Sequence, residues 1–359
     1  MRHILALASA LSLGVAIVAL ACGESLVTNT SNSADGSSSE GGGSSGGLDG
    51  SLSPDAPAGT CIAEAREFAS AEAVSAIAAN NDTVYWANSI PDGSIIGCAT
   101  TGCGTGAPFA VTNQFRPIGL TVGEKAEVYW TTSLTGVADS GTVQVRVPGG
   151  PASVIVARPY TPKAIVRAGD AIYWLEPDFP PEGALMRCIL GDALKCTEAT
   201  RMTTQNFNGG LATHSGAVYW TERQRVNSLL VDGGTQGLTP SGLDLQPTLA
   251  VNDKQVFYAD KTPEAGLRYV ANDGLGNVVR LFDTVETIRA ITLSSDRQRV
   301  IYMTTRAIMV VQQASSGNAP KLLTNLVADD PSMPAALAVS GECVYWFNSG
   351  KIMTMKLPD

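Results

Sequence analysis

The chain has 359 residues, a formal net charge of −9 and only 16% charged residues, with 37 Gly, 19 Pro and 6% aromatics. Twenty-four Lys and Arg spread thinly over an acidic chain exclude an electrostatic nucleic-acid binder, which needs clustered basic charge. His3 and His214 are the whole histidine complement, so a pocket built on several histidines is excluded too.

Reading from the N-terminus, Met1-Arg2-His3 is a short basic start. Ile4 to Ala21 is an unbroken apolar and small-residue stretch ending Ala19-Leu20-Ala21-Cys22. This order of basic, apolar and small-residue segments predicts a secretory signal peptide over 1–21. The stretch is also long enough to span a bilayer, so a retained anchor is an alternative. The cysteine directly after a small residue resembles a bacterial lipobox, which implies lipidation of Cys22 as the first mature residue. Plain secretion is a further alternative, because Ala19-x-Ala21 also suits an ordinary signal peptidase. Gly23 rather than Asp follows the cysteine, and in enteric-type sorting that implies the outer membrane. The expected address is the bacterial cell envelope, lipid-anchored, with a secreted or periplasmic chain as the alternative. Losing Arg2 with the leader takes the net charge to −10.

Residues 22–58 are dominated by Ser, Gly, Asn and Asp, a composition that cannot bury enough apolar surface to fold. They are expected to be a disordered tether with a root-mean-square span of roughly 30–36 Å.

From about residue 59 one phrase recurs: Val84-Tyr85-Trp86, Val128-Tyr129-Trp130, Ile172-Tyr173-Trp174, Val218-Tyr219-Trp220, Val256-Phe257-Tyr258, Val300-Ile301-Tyr302 and Val344-Tyr345-Trp346. All five tryptophans occupy its third position, and successive third positions lie 44, 44, 46, 38, 44 and 44 residues apart. A short apolar run precedes each phrase, often entered through proline, as in Pro117–Val122 and Pro247–Val251. Two more β-rich runs follow, as in Thr142–Val147 and Ala152–Val156. Four short runs per period, separated by turn residues, predict one propeller blade each. The fold expected for 59–359 is all-β: a seven-bladed β-propeller of four-stranded antiparallel blades. The last period ends at Asp359 without a fourth run, while Cys61–Ala69 precedes the first period with no blade of its own. The N-terminal strand is therefore expected to complete the last blade and remove an open sheet edge.

The phrases resemble the Tyr-Trp-Thr-Asp repeat of YWTD/NHL-like propellers and, more loosely, bacterial propeller lipoproteins. An acid stands in the fourth position of only three copies: Glu176, Glu222 and Asp260. Receptor-type YWTD propellers have six blades and this chain has seven phrases, so no ligand-binding residue is carried over from them.

Setting Cys22 aside leaves six cysteines, an even number for an oxidising compartment. Repeat register places Cys98 with Cys103 and Cys188 with Cys196 about third-to-fourth-strand turns, and Cys61 with Cys343 at the ring closure. A metal site is the alternative, although no C-x-x-C pair or histidine cluster accompanies these residues.

No P-loop, H-E-x-x-H or EF-hand loop is present, and no catalytic residue, metal or cofactor is expected. His214 is read as a solvated turn residue. The loops expected to converge on one face carry Asp92, Asp178, Glu182 and Glu264 beside a candidate binding set of Arg116, Glu176, Phe207, Asn208, Glu222 and Asp260. Phe207 is read as an exposed aromatic of the kind enriched at interfaces. Non-catalytic binding of an envelope protein, peptide or glycan by a monomeric, membrane-tethered ring is the preferred function. The alternative is a propeller-type lyase or lactonase with a divalent metal held by Glu176, Glu222 or Asp260.

Overall fold

The computed structural model describes residues 61–358, apart from 105–108, 134–136, 138, 192–193, 231–232, 262–264, 314–318 and 328–334. The predicted leader, Cys22 and the tether lie outside the described residues. Seven four-stranded antiparallel sheets make up the described fold, with no helix among the described residues. In blade 1 the strands run Val74–Ala79, Thr83–Asn88, Gly93–Ala99 and Phe109–Gln114, each hydrogen-bonded to the next. Blades 2 to 6 repeat this order.

Blade 7 is assembled from both ends of the chain. Leu337–Ser340, Cys343–Asn348 and Lys351–Lys356 supply three strands, and Arg66–Ser70 is the fourth. It pairs antiparallel with Lys351–Lys356, from Arg66 opposite Thr354 to Ser70 opposite Lys351. Cys61 is joined to Cys343, 282 residues away, with Cα atoms 5.9 Å apart. The other disulfides are Cys98–Cys103 and Cys188–Cys196. The first strand of each blade lies against the first strands of both neighbouring blades, all the way round from Val74–Ala79 to Leu337–Ser340 and back. Those seven strands therefore line the centre of a closed ring.

Side-chain alternation along the second strands builds the core. Successive residues point to opposite faces of a sheet, so the second and third positions of each phrase serve different neighbours. Trp130 of blade 2 packs in one cluster with Tyr85 of blade 1. Trp174 meets Tyr129, Trp220 meets Tyr173, Tyr258 meets Tyr219, and Tyr302 meets Phe257. Trp346 meets Ile301, and Trp86 closes the circle against Tyr345. Seven clusters thus fill seven inter-blade interfaces. Each third-position ring points to the preceding blade and each second-position side chain to the following one.

The threonines after Trp130 and Trp220 close local gaps. The first strands of blades 2 and 4 shift register early, between Pro117 and Leu120 and between Phe207 and Leu211. The Thr131 hydroxyl accepts from Gly119 N at 2.9 Å and donates to Lys163 O of the next blade at 2.6 Å. The Thr221 hydroxyl accepts from Gly210 N and donates to Asn208 Oδ1.

Candidate functional site

One end of the ring carries the loops that follow the second strands and those that enter the first strands. The second residue after each phrase's third position lies there, and its side chains are used within their own blades. Glu176 is 2% exposed. Its Oε1 accepts from Trp174 Nε1 at 2.7 Å, and its Oε2 accepts from the backbone N–H of Tyr160 at 3.1 Å. Asp260 accepts from Asp244 N at 3.2 Å and is ion-paired with Arg268 at 3.3 Å. Asn88 in blade 1 accepts from Glu72 N at 3.3 Å. All three acceptors capture an amide sixteen residues upstream, so this position pins the segment by which the chain enters its own blade. Burial holds the Glu176 carboxyl above its usual range, against the lowering effect of those two hydrogen bonds.

The remaining predicted residues divide. Phe207 is 8% exposed and packs on Trp220, with ring centroids 6.4 Å apart, which corrects its reading as an exposed aromatic. It follows Gln205 and Asn206, which look like loop residues, but it begins a first strand and its alternation turns it to the core. Asn208 donates to Leu245 O of the next blade at 2.8 Å and joins blades 4 and 5. Asp178 pairs with Lys163 at 3.2 Å. Arg116 and Asp92 are exposed on this end, and Glu264 lies outside the described residues. His214 is not a solvated turn residue: its side chain is 11% exposed and bonded to Asp253 Oδ1 at 2.9 Å. It stands at the opposite end of blade 4 from Glu222, because it closes the first strand where Glu222 closes the second.

A cavity of about 370 Å³ opens between blades 3 and 4, lined by Glu182, Gln205, Asn206, Glu222, Arg223 and Gln224. Its walls are tied to the repeat. Gln205 Oε1 accepts from Trp220 Nε1 at 3.0 Å, Glu222 N donates to Arg225 O at 2.9 Å, and Arg223 N donates to Asn206 O at 3.0 Å. Asn227 Nδ2 donates to Glu222 Oε1. Burial raises the Glu222 carboxyl above its ordinary value, opposed by Arg225 and by the bonds from Asn227 and Trp220. Amides, carboxylates and one guanidinium around a fixed cavity are equipped to hydrogen-bond a polar ligand. Glu222 and Glu182 are foreseeable as loop acids, whereas Gln205, Asn206, Arg223 and Gln224 have the composition of ordinary loop residues. A signal existed for Gln205: Gln114 also stands about one strand-and-turn ahead of a phrase tryptophan and accepts from Trp130 Nε1 at 3.0 Å.

Glu176, Glu222 and Asp260 belong to blades 3, 4 and 5, each engaged within its own blade. Among the described residues no group of three or more His, Cys, Asp or Glu is placed to hold a metal ion.

No family model matches the chain, and no curated protein matches it. Solved structures do. Virginiamycin B lyase from Staphylococcus aureus is 13% identical, with a TM-score of 0.59 over 82% of this chain and 99% of the lyase chain. U3-55K is 10% identical, with a TM-score of 0.59 over 83% of this chain and 100% of its own. A chain of the Mitotic Checkpoint Complex is 10% identical, with a TM-score of 0.61 over 86% and 99%. Fold and likeness together define a seven-bladed β-propeller. At these identities the likeness extends to the fold alone.

Proposed function

We propose that this chain is a bacterial envelope lipoprotein whose propeller binds a polar ligand, a glycan or peptide segment, without catalysis. The cavity between blades 3 and 4 carries this reading. Every residue that lines it bears a polar side chain, it sits on the end where the connecting loops gather, and its walls are anchored to a buried tryptophan. A ring stiffened by shared cores holds such loops in fixed positions, which lowers the ordering cost of binding. The basic start, the apolar stretch and Cys22 support the lipid tether. Lyase or lactonase chemistry on a loop-held metal is less well supported, because Glu176 and Asp260 are engaged within their own blades.

Two measurements test the proposal. The chain is applied to glycan and peptide arrays beside Glu222→Gln, Arg223→Ala and Asp92→Asn. Retention that falls about tenfold in the first two and is unchanged in the third supports the cavity, a loss of roughly 1.4 kcal/mol. Retention indifferent to all three overturns it. Separately, a clickable fatty acid fed to cells should label the wild type and not Cys22→Ser. Equal labelling of both would remove the lipoprotein assignment.

A further inference from the structure

The end of the ring opposite the loop cavity is knitted together by polar side chains. Ser340 donates to Asn80 O at 2.6 Å, Ser295 to Gly341 O at 2.7 Å, and Thr213 to Arg167 O at 3.1 Å, while Arg167 is paired with Glu127 at 2.7 Å. Each of these joins neighbouring blades. One group does more. His214 of blade 4 bonds through Nε2 to Asp253 of blade 5 and receives Arg297 Nη1 of blade 6 on Nδ1, so it reaches across two blades. Arg297 also lines a cavity of about 420 Å³ with Asn81, Ala212, Leu249, Ser295 and Val339. Those residues come from blades 1, 4, 5, 6 and 7, so the cavity is the mouth of the central channel.

The exposures within this group are unequal. The His214 side chain is 11% exposed, whereas Asp253, whose carboxylate it holds, is 79% exposed. Arg297 Nη1 stands 3.6 Å from the same oxygen. The scaffold under all three is fixed. Asn252 Oδ1 caps the Asp253 turn through Lys254 N and Gln255 N, and Asn252 Nδ2 reaches Gln313 at 2.7 Å. Arg297 N is held by Ser294 O at 2.7 Å. A largely buried imidazole N–H and a guanidinium therefore converge on a carboxylate that itself faces water, beside a cavity large enough for a small organic body. Paired N–H donors of this type are the usual receptor for a carboxylate.

We propose that His214 and Arg297 form a carboxylate-binding site at the channel mouth, with Asp253 as its resident stand-in, and that a small carboxylic acid displaces Asp253 and places its body in the 420 Å³ cavity. The imidazole is neutral in this arrangement: burial, and then Arg297, depress its basicity, while Asp253 acts the other way. Nε2 thus donates to the incoming carboxylate as Nδ1 accepts from Arg297.

The test follows the imidazole resonances of the full-length chain by NMR, with His214→Gln identifying the His214 signal. Acetate is titrated in, and inorganic phosphate in a parallel arm. The expected result is a saturable shift of the His214 signal with acetate, absent in Arg297→Gln and tightened about tenfold in Asp253→Asn, where the competing carboxylate is gone. Unchanged backbone dispersion in both variants shows that the ring is intact. A shift that does not saturate, that persists in Arg297→Gln, that is not tightened in Asp253→Asn, or that phosphate reproduces at equal concentration overturns the carboxylate site.

Discussion

Glu176 shows how one carboxyl links burial, pH and loop placement. Its raised pKa means that the folded chain holds this proton more tightly than the unfolded chain does. Native-state proton binding then exceeds that of the unfolded state, and stability falls as pH rises from the carboxyl's ordinary value of about 4.5 through the raised value. Glu176→Gln should flatten that part of a melting-temperature profile; an unaltered slope would refute the assignment. Glu176→Ala strands the N–H donors of Trp174 and Tyr160 and should cost about 1–3 kcal/mol by denaturant melts. Gly119 is constrained differently. A Cβ there would lie 2.1 Å from Lys163 O, in the segment that leads into the next blade's first strand. Gly119→Ala must separate blades 2 and 3 or unseat Thr131, and is expected to destabilise more than Thr131→Val, which loses only hydroxyl bonds.

At the level of strands and links, the disulfides differ in the loops they close. Cys61–Cys343 spans 282 residues and Cys98–Cys103 spans 5. The chain-entropy model gives about 5–6 kcal/mol for the first and about 2 for the second. The paired Cys→Ser changes should therefore differ by at least twofold in chemical denaturation, and equal losses would show that ring closure does not depend on the long link. Strand number, order and closure were legible in the sequence, because an aromatic phrase at a regular interval exposes the second strand of every blade. Proline as the entry mark of first strands was less reliable. The run Pro162-Lys163-Ala164-Ile165-Val166 has the same proline entry, but the strand begins only at Ile165, with Lys163 and Ala164 making irregular bonds to Leu175. The sites were legible only in part. Glu222 stood out by its charge, but whether Phe207 faces water or core turns on a one-residue phase that its Asn neighbours concealed. His214 looked solvated because its partners, Asp253 and Arg297, lie 39 and 83 residues away on other blades.

For the molecule as a whole, shared cores mean that no blade is complete alone. Each tryptophan of the phrase is lodged against the blade before it, so Trp130→Ala should loosen blades 1 and 2 together, at roughly 3–5 kcal/mol. Hydrogen exchange should show both blades losing protection; loss confined to blade 2 would contradict the interleaved core. The closing strand carries a further consequence, in time rather than in space. Among the described strands Arg66–Ser70 is the first to be synthesised, and its partner Lys351–Lys356 is the last. The earlier strand therefore has no partner until Lys351–Lys356 has been made, and sheet pairing across so long a separation is slow. A ring that cannot seal until its seventh blade has been made passes through a long open stage, and the Cys61–Cys343 link can form only after that stage.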